Sequence, residues 1–236
     1  MRDLNDSDFL SIWESGGRRH PLDRALLALG AGLPEASFEN LAAWPLGRRN
    51  RELIALHCRC FGPSLRGAVS CAGCGETLEV DLDGRMVAGG ASEPGGERGT
   101  IEFDGRRFRL PGTRDLAAVA RETDARAAAV RLVEGCSLGA PRQAEWSDTE
   151  LEEIGSRMAD ADPLAEIRLR MRCPECGRET DETVDIVAFL WAEIDTRVRR
   201  LLSDIHALAS AYGWSEADIM SMSAARRAVY LEMVRS

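Results

Sequence analysis

Four of the seven cysteines in this 236-residue chain fall into two matching words, Cys71-Ala72-Gly73-Cys74-Gly75 and Cys173-Pro174-Glu175-Cys176-Gly177. Two residues between the thiolates let one tight turn aim both sulfurs at a single ion. The glycine that follows permits the backbone to curl so that its N–H groups face the sulfurs. Two such knuckles supply four thiolates, the complement of a tetrahedral structural Zn²⁺ site. Cys71, Cys74, Cys173 and Cys176 are therefore the candidate ligands of one structural zinc. Structural disulfides do not suit a cytosolic chain, and redox CxxC pairs sit at a helix N-terminus rather than between strands. Two separate metal or redox sites, or unligated thiols, are the alternatives to one shared site. Cys58, Cys60 and Cys136 lie in stretches that read as helical and are expected to be buried thiols. His57 beside Cys58 is a further conceivable ligand, but four thiolates already make a full set.

A tetrathiolate zinc leaves no coordination position open, so the motif points to structure and not to catalysis. The three histidines, His20, His57 and His206, form no recognisable catalytic arrangement with a Ser, Cys or acid. Acid pairs such as Glu152-Glu153 read as solvated helix faces. No enzymatic activity is expected. All 30 basic residues are arginine. The absence of lysine excludes Schiff-base chemistry and the lysine of a P-loop, and neither GxxxxGK[ST] nor GxGxxG occurs. Codon drift in a GC-rich genome, together with arginine's bidentate pairing with carboxylates, accounts for this usage. The 39 acids outnumber the arginines to give a net charge of −9, which repels phosphate backbones.

The elements that must position the knuckles follow from periodicity. Residues 1–62 read as an N-terminal helical segment: Leu22, Ala25, Leu26 and Leu29 recur at helical spacing behind Pro21, with Gly30 and Gly32 as the stop, and a second helix runs from about Gly47 to Cys60. Residues 63–83 form the first zinc-ribbon hairpin, in which Leu78, Val80 and Leu82 alternate with Glu79 and Asp81. Residues 84–160 are expected to be an inserted subdomain. It opens with a flexible linker at 89–96 and continues with a hairpin over Ile101–Leu110 turning at Asp104-Gly105. Helices at about 113–122, 124–135 and from Ser147, where Ser147-Asp148-Thr149-Glu150 fits a capping box, complete it. Residues 161–186 form the second hairpin. Residues 187–236 hold a long helix to Tyr212, stopped by Gly213, and two short ones. The expected fold class is α+β: mainly helical, with a split four-cysteine zinc ribbon of two β-hairpin knuckles and an inserted α/β subdomain. The longest apolar stretch, Ile186–Ala192, falls far short of the roughly 18–20 residues of a membrane span. The start, Met1-Arg2-Asp3-Leu4-Asn5-Asp6, lacks an apolar signal region, so a cytoplasmic location is expected.

Two surfaces are candidates for partner binding. Arg168, Arg170 and Arg172 alternate with Ile167, Leu169 and Met171, which sets three guanidiniums on one strand face. Zinc ribbons that bind nucleic acid use such ladders. The same arginines could instead pair with acids of the neighbouring hairpin, for example Glu79 and Asp81. The acidic surroundings, the formal −2 of a tetrathiolate centre and the lack of stacking aromatics beside the knuckles favour pairing and make nucleic acid an unlikely partner. Near the C-terminus, Trp214, Ile219, Met220, Met222 and Tyr230 offer apolar surface. It either docks a neighbour or folds back on the long helix.

The order of short words along the chain also carries a resemblance. It runs from Leu46-Gly47-Arg48-Arg49-Asn50 and Phe61-Gly62-Pro63 ahead of a CxxCGE to Phe108-Arg109-Leu110-Pro111 with Asp115-Leu116. Ala161-Asp162-Pro163 then precedes a CPxCG, and Tyr212-Gly213-Trp214-Ser215-Glu216 is followed by Arg226-Arg227 and Tyr230-Leu231. Over most of its length the chain resembles a group of zinc-ribbon proteins encoded in contractile-tail gene clusters, whose relatives are baseplate-associated proteins of myoviruses and extracellular contractile injection systems. The resemblance implies a structural or assembly protein of a baseplate, partnered by other baseplate or tail proteins and incorporated in, or building, a phage-tail-like particle. Only the four knuckle cysteines carry over as functional residues. The alternative is a zinc-ribbon nucleic-acid-binding or transcription-associated module.

Overall fold

The computed structural model describes residues 1–90, 99–140 and 145–235; the linker expected at 89–96 lies, beyond Gly90, outside the described residues. Four helices open the chain: α1 (Asp6–Gly16), α2 (Pro21–Gly32), α3 (Phe38–Ala43) and α4 (Leu46–Phe61). Local chemistry starts them. Asn5 and Asp8 form a reciprocal capping box at α1, with the Asp8 N–H donating to Asn5 Oδ1 at 3.0 Å and the Asn5 N–H to Asp8 Oδ2 at 2.9 Å. Pro21 fills the first turn of α2. α2 passes through Gly30 and ends only at Gly32, because Ala28, Leu29 and Gly32 are all buried and packing outweighs the cost of one glycine.

The first hairpin follows, β1 (Ser64–Ser70) against β2 (Thr77–Asp83), antiparallel with Leu65 opposite Leu82 and Ser70 opposite Thr77. α5 (Gly84–Gly90) comes next, a helix the sequence did not announce. A second hairpin, β3 (Thr100–Phe103) and β4 (Arg106–Arg109), turns at Asp104-Gly105 with φ of 48° and 68°. That is the left-handed pair a two-residue hairpin turn requires. α6 (Thr113–Val119), α7 (Ala125–Cys136) and α8 (Asp148–Ala161) follow, the last with the expected Ser147/Glu150 capping box. The third hairpin, β5 (Arg168–Arg172) and β6 (Glu179–Thr183), pairs Arg170 with Asp181 and Arg172 with Glu179. α9 (Ile186–Tyr212) is the longest described element, closed by Gly213 at φ 69°. α10 (Glu216–Ser221) and α11 (Ala224–Arg235) end the described chain. The protein is thus mixed helix and sheet, 58% helical, with small antiparallel hairpins.

Buried side chains gather in four clusters. The first, around Phe9, Leu29, Leu41, Leu53, Ile54, Leu56 and Ile194, joins α1–α4 to the first half of α9. The second holds Ile101 of β3, Phe108 of β4 and Ile154 of α8, with Leu110 and Trp146 from the adjoining segments. The third binds the second half of α9, through Leu201, Ile205 and Leu208, to Ile219 and Leu231. The fourth consists of Cys71, Leu78 and Cys173, with Met171 against them. α9 is a spine: its buried residues, from Ile186 to Leu208, keep a three-four spacing through two of these clusters.

Candidate metal centre

Both cysteine-bearing hairpins are rooted in the first cluster. Leu65 of β1 is a buried member, and Leu82, Ile167 and Val184 pack against it. The ring of Phe189 on α9 lies over Gly67, where a Cβ would come within 2.7 Å of its Cζ, so α9 seats the first hairpin closely. The cysteines stand at the far ends. Their local geometry is the same in both words. In the first, the Cys71 N–H donates to the Glu76 carbonyl (2.8 Å) and the Gly75 N–H to the Cys71 carbonyl (2.8 Å); in the second, Cys173 N–H donates to Arg178 (2.8 Å) and Gly177 N–H to Cys173 (2.9 Å). Gly75 and Gly177 have φ of 78° and 71°, a conformation that strains any residue with a side chain.

The two knuckles face one another. Cys71 Sγ lies 3.6 Å from Cys176 Sγ, and Cys74 Sγ lies 3.6 Å from Cys173 Sγ. All four sulfurs are within 4.8 Å of each other. Zn–S bonds of about 2.3 Å give a tetrahedron with edges of about 3.8 Å, whereas a disulfide needs about 2.05 Å; the cysteines are free. The donor set therefore fits a tetrahedral thiophilic ion. Cys71 and Cys173 are buried and Cys74 and Cys176 exposed, so the cluster is reached from one side. The Gly73 and Cys74 N–H groups pull the Cys71 thiol down to about 6. At Cys74 the Glu76 N–H favours the thiolate, but local desolvation together with the sulfurs of Cys176, Cys173 and Cys71 outweighs it and pushes that thiol up to about 12.

His57 and the other cysteines stand apart from the tetrad. His57 is buried on α4 with its ring 5.5 Å from that of Phe61. Burial pushes its pKa below the usual 6.5, against opposing effects of Glu193 and the Gly62 backbone. Burial likewise raises Cys58 and Cys60 on α4, and Cys136 to about 11, as expected of inert thiols.

The arginine ladder points outward from β5, but its acidic neighbours are not those expected. β5 pairs with β6 and not with the first hairpin, and Asp81 is engaged by Ser64 and Arg66 of β1. Arg168 instead lies 3.6 Å from Glu166 and 3.9 Å from Asp181. Arg172 donates to the Gly177 carbonyl at 3.1 Å, bracing the second knuckle. Arg170 is exposed and forms no ion pair among the described residues. Trp214 and Tyr230 meet edge to face at 4.9 Å, and Tyr212 stacks on Trp214 at 4.5 Å. They are folded back on the end of α9, beside the third cluster.

A buried polar junction that the sequence did not reveal aligns the two hairpins. Asp162 Oδ2 accepts the Gly47 N–H at 2.9 Å, and any Cβ on Gly47 would fall 1.7 Å from its other oxygen. Asn50 donates to the Leu164 carbonyl at 2.8 Å, while Arg49 donates to Asn50 Oδ1 at 2.8 Å and to Thr113 Oγ1 at 3.3 Å. The first turn of α4 therefore grips the segment that leads into β5, and the last turn of the same helix leads into β1. Its only trace in the sequence is the pair of words Leu46–Asn50 and Ala161–Pro163, which carry no local signal that they meet. Comparison of the chain with protein-family models, with curated proteins and with solved structures finds no match.

Proposed function

We propose that Cys71, Cys74, Cys173 and Cys176 hold one structural Zn²⁺, that the two cysteine hairpins make a split zinc ribbon around an inserted subdomain of residues 84–160, and that the chain is a non-enzymatic scaffold. The observation that carries this reading is the convergence of four sulfurs within 4.8 Å from knuckles 98 residues apart. Four thiolates select a soft tetrahedral ion, and zinc brings no redox chemistry and leaves no open position. When bound, it would cross-link the knuckles and neutralise part of their charge. The setting we propose is the baseplate of a phage-tail-like contractile injection system, as a component or an assembly factor contacting other baseplate or tail proteins. It rests on the order of the sequence words, and a cytoplasmic or particle-bound location follows from it.

Metal analysis of the purified chain, followed by capture of the tagged protein coexpressed with its neighbouring genes, tests the two halves separately. About one zinc per chain, lost in Cys173→Ser, supports the centre; no zinc refutes it. Recovery of sheath, spike or wedge proteins supports the baseplate setting. The exposed Arg170, which forms no ion pair among the described residues, favours a second reading, a nucleic-acid module. Salt-sensitive retention on DNA or RNA, abolished by Arg168/Arg170/Arg172→Ala, would establish it in place of the first.

A further inference from the structure

We infer that a cleft between the end of α1 and the outer face of α9 is a docking site for an extended acidic segment of a partner protein. This rests on the scaffold reading, in which contacts with other proteins are the function. The cleft is open to solvent and offers about 480 Å³.

Trp13 and Trp191, both half-buried, line it together with the exposed Ala188 and Ala192 of α9. Both indoles are held in place. Trp13 Nε1 donates to Asp195 Oδ1 at 2.7 Å. Trp191 lies so close to Gly16 that a Cβ there would sit 2.6 Å from its ring. Rigid indoles offer a large contact area that loses little entropy on binding, which is why tryptophan and arginine recur at the energetic centres of interfaces.

The charge of the cleft selects the occupant. Asp195 is matched by Arg199, whose Nε donates to it at 2.7 Å. Arg24 stacks 4.2 Å above the Trp191 ring. It donates to the Gly16 and Gly17 carbonyls at 3.0 Å each, and it pairs with no carboxylate among the described residues. The partial charge of a helix C-terminus offsets only part of a guanidinium. The cleft is thus net positive on a chain of net charge −9. A carboxylate meeting Arg24, with a neighbouring apolar side chain against the indoles, Ala188 and Ala192, satisfies both features.

The test uses the full, zinc-loaded chain, titrated with acetyl-Glu-Leu-Glu-Leu-Glu-amide while tryptophan fluorescence is followed. The expected result is a saturable change that the Gln-Leu-Gln-Leu-Gln analogue does not give. Binding should weaken about tenfold or more in Arg24→Gln, which removes the charge, and in Ala192→Glu, which places an acid on the cleft floor. Ala192 is exposed, so the second variant keeps its fold, as circular dichroism will show. No saturable change at millimolar peptide, unchanged affinity in both variants, or preferential binding of a single-stranded oligonucleotide would overturn the proposal. Capture from the coexpressed gene neighbourhood separates the two claims. If wild type and Ala192→Glu recover the same tail proteins, the cleft is refuted and the scaffold stands. If the wild type recovers none, the scaffold setting falls while the titration still decides the cleft.

Discussion

The helical cluster and the four-cysteine tip solve the problem of cohesion in opposite ways. The first gathers side chains from α1–α4 and α9, with Leu29, Leu41, Leu53, Ile54, Leu56 and Ile194 fully out of water. Each such side chain contributes roughly 1.5–3 kcal/mol of hydrophobic free energy. The tip has Cys71, Leu78 and Cys173, with Met171 beside them, too little to hold two strand pairs together against chain entropy. The bases of the hairpins belong to the helical cluster and their ends depend on the sulfurs. A metal held by these four sulfurs would therefore be the core of a region that lacks one, not a reinforcement of the whole.

The largest predicted effect separates the two regions. Chelation, or Cys173→Ser, should remove all bound zinc and unfold the knuckles, with rapid amide exchange over 70–77 and 172–179, while the α-helical signal and its main melting transition persist. Loss of the helical signal at the same chelator concentration would show that the regions are one cooperative unit. Next, Leu53→Ala should destabilise the main transition by about 2–5 kcal/mol and leave zinc stoichiometry unchanged. Metal analysis alongside denaturation checks both.

Asp162→Ala tests the link between the regions. It leaves the Gly47 N–H without its buried acceptor, at a cost of about 1–3 kcal/mol. Because that contact aligns the two knuckles, zinc affinity should fall as well, which competition with a chromogenic chelator will measure. A smaller effect is expected from pH. His57 is neutral when folded, with its pKa depressed, so the unfolded chain takes up a proton first as pH falls. Stability of the helical region should be complete above about 6.5 and decline from there down to the depressed value, a slope that His57→Gln abolishes in denaturant titrations. The smallest effect belongs to the exposed Arg66–Asp81 pair on the first hairpin, where Arg66→Ala should leave zinc content and melting unchanged.

What the sequence made legible is what local chemistry determines. The cap at Ser147, the Asp104-Gly105 turn, the periodicity of α9 and its stop at Gly213 all appear where spacing and residue type put them. The tetrad was legible because CxxCG encodes its own turn. α5 was not, since Gly84-Arg-Met-Val-Ala-Gly-Gly has poor helix propensity. Its helix depends on packing: Val87 and Ala88 lie on the first cluster, and a Cβ at Gly84 would meet Cys58 Sγ at 2.9 Å. The acids beside the arginine ladder were misassigned because alternation reveals which face a strand presents, not which strand lies next to it. The junction of Gly47, Asn50 and Asp162 spans about 115 positions, beyond the reach of any periodicity.

The separation of the two knuckles along the chain also has a meaning in time. A ribosome adds about 5–20 residues per second, so the 98 residues between Cys74 and Cys173 take on the order of 5–20 s to make. Through that interval Cys71 and Cys74 exist as a half-site of two thiols, while β3, β4 and α6–α8 are still emerging. An ion held by all four sulfurs could close the tip only after everything between them has been synthesised, which would make metal capture a late step in the birth of the chain.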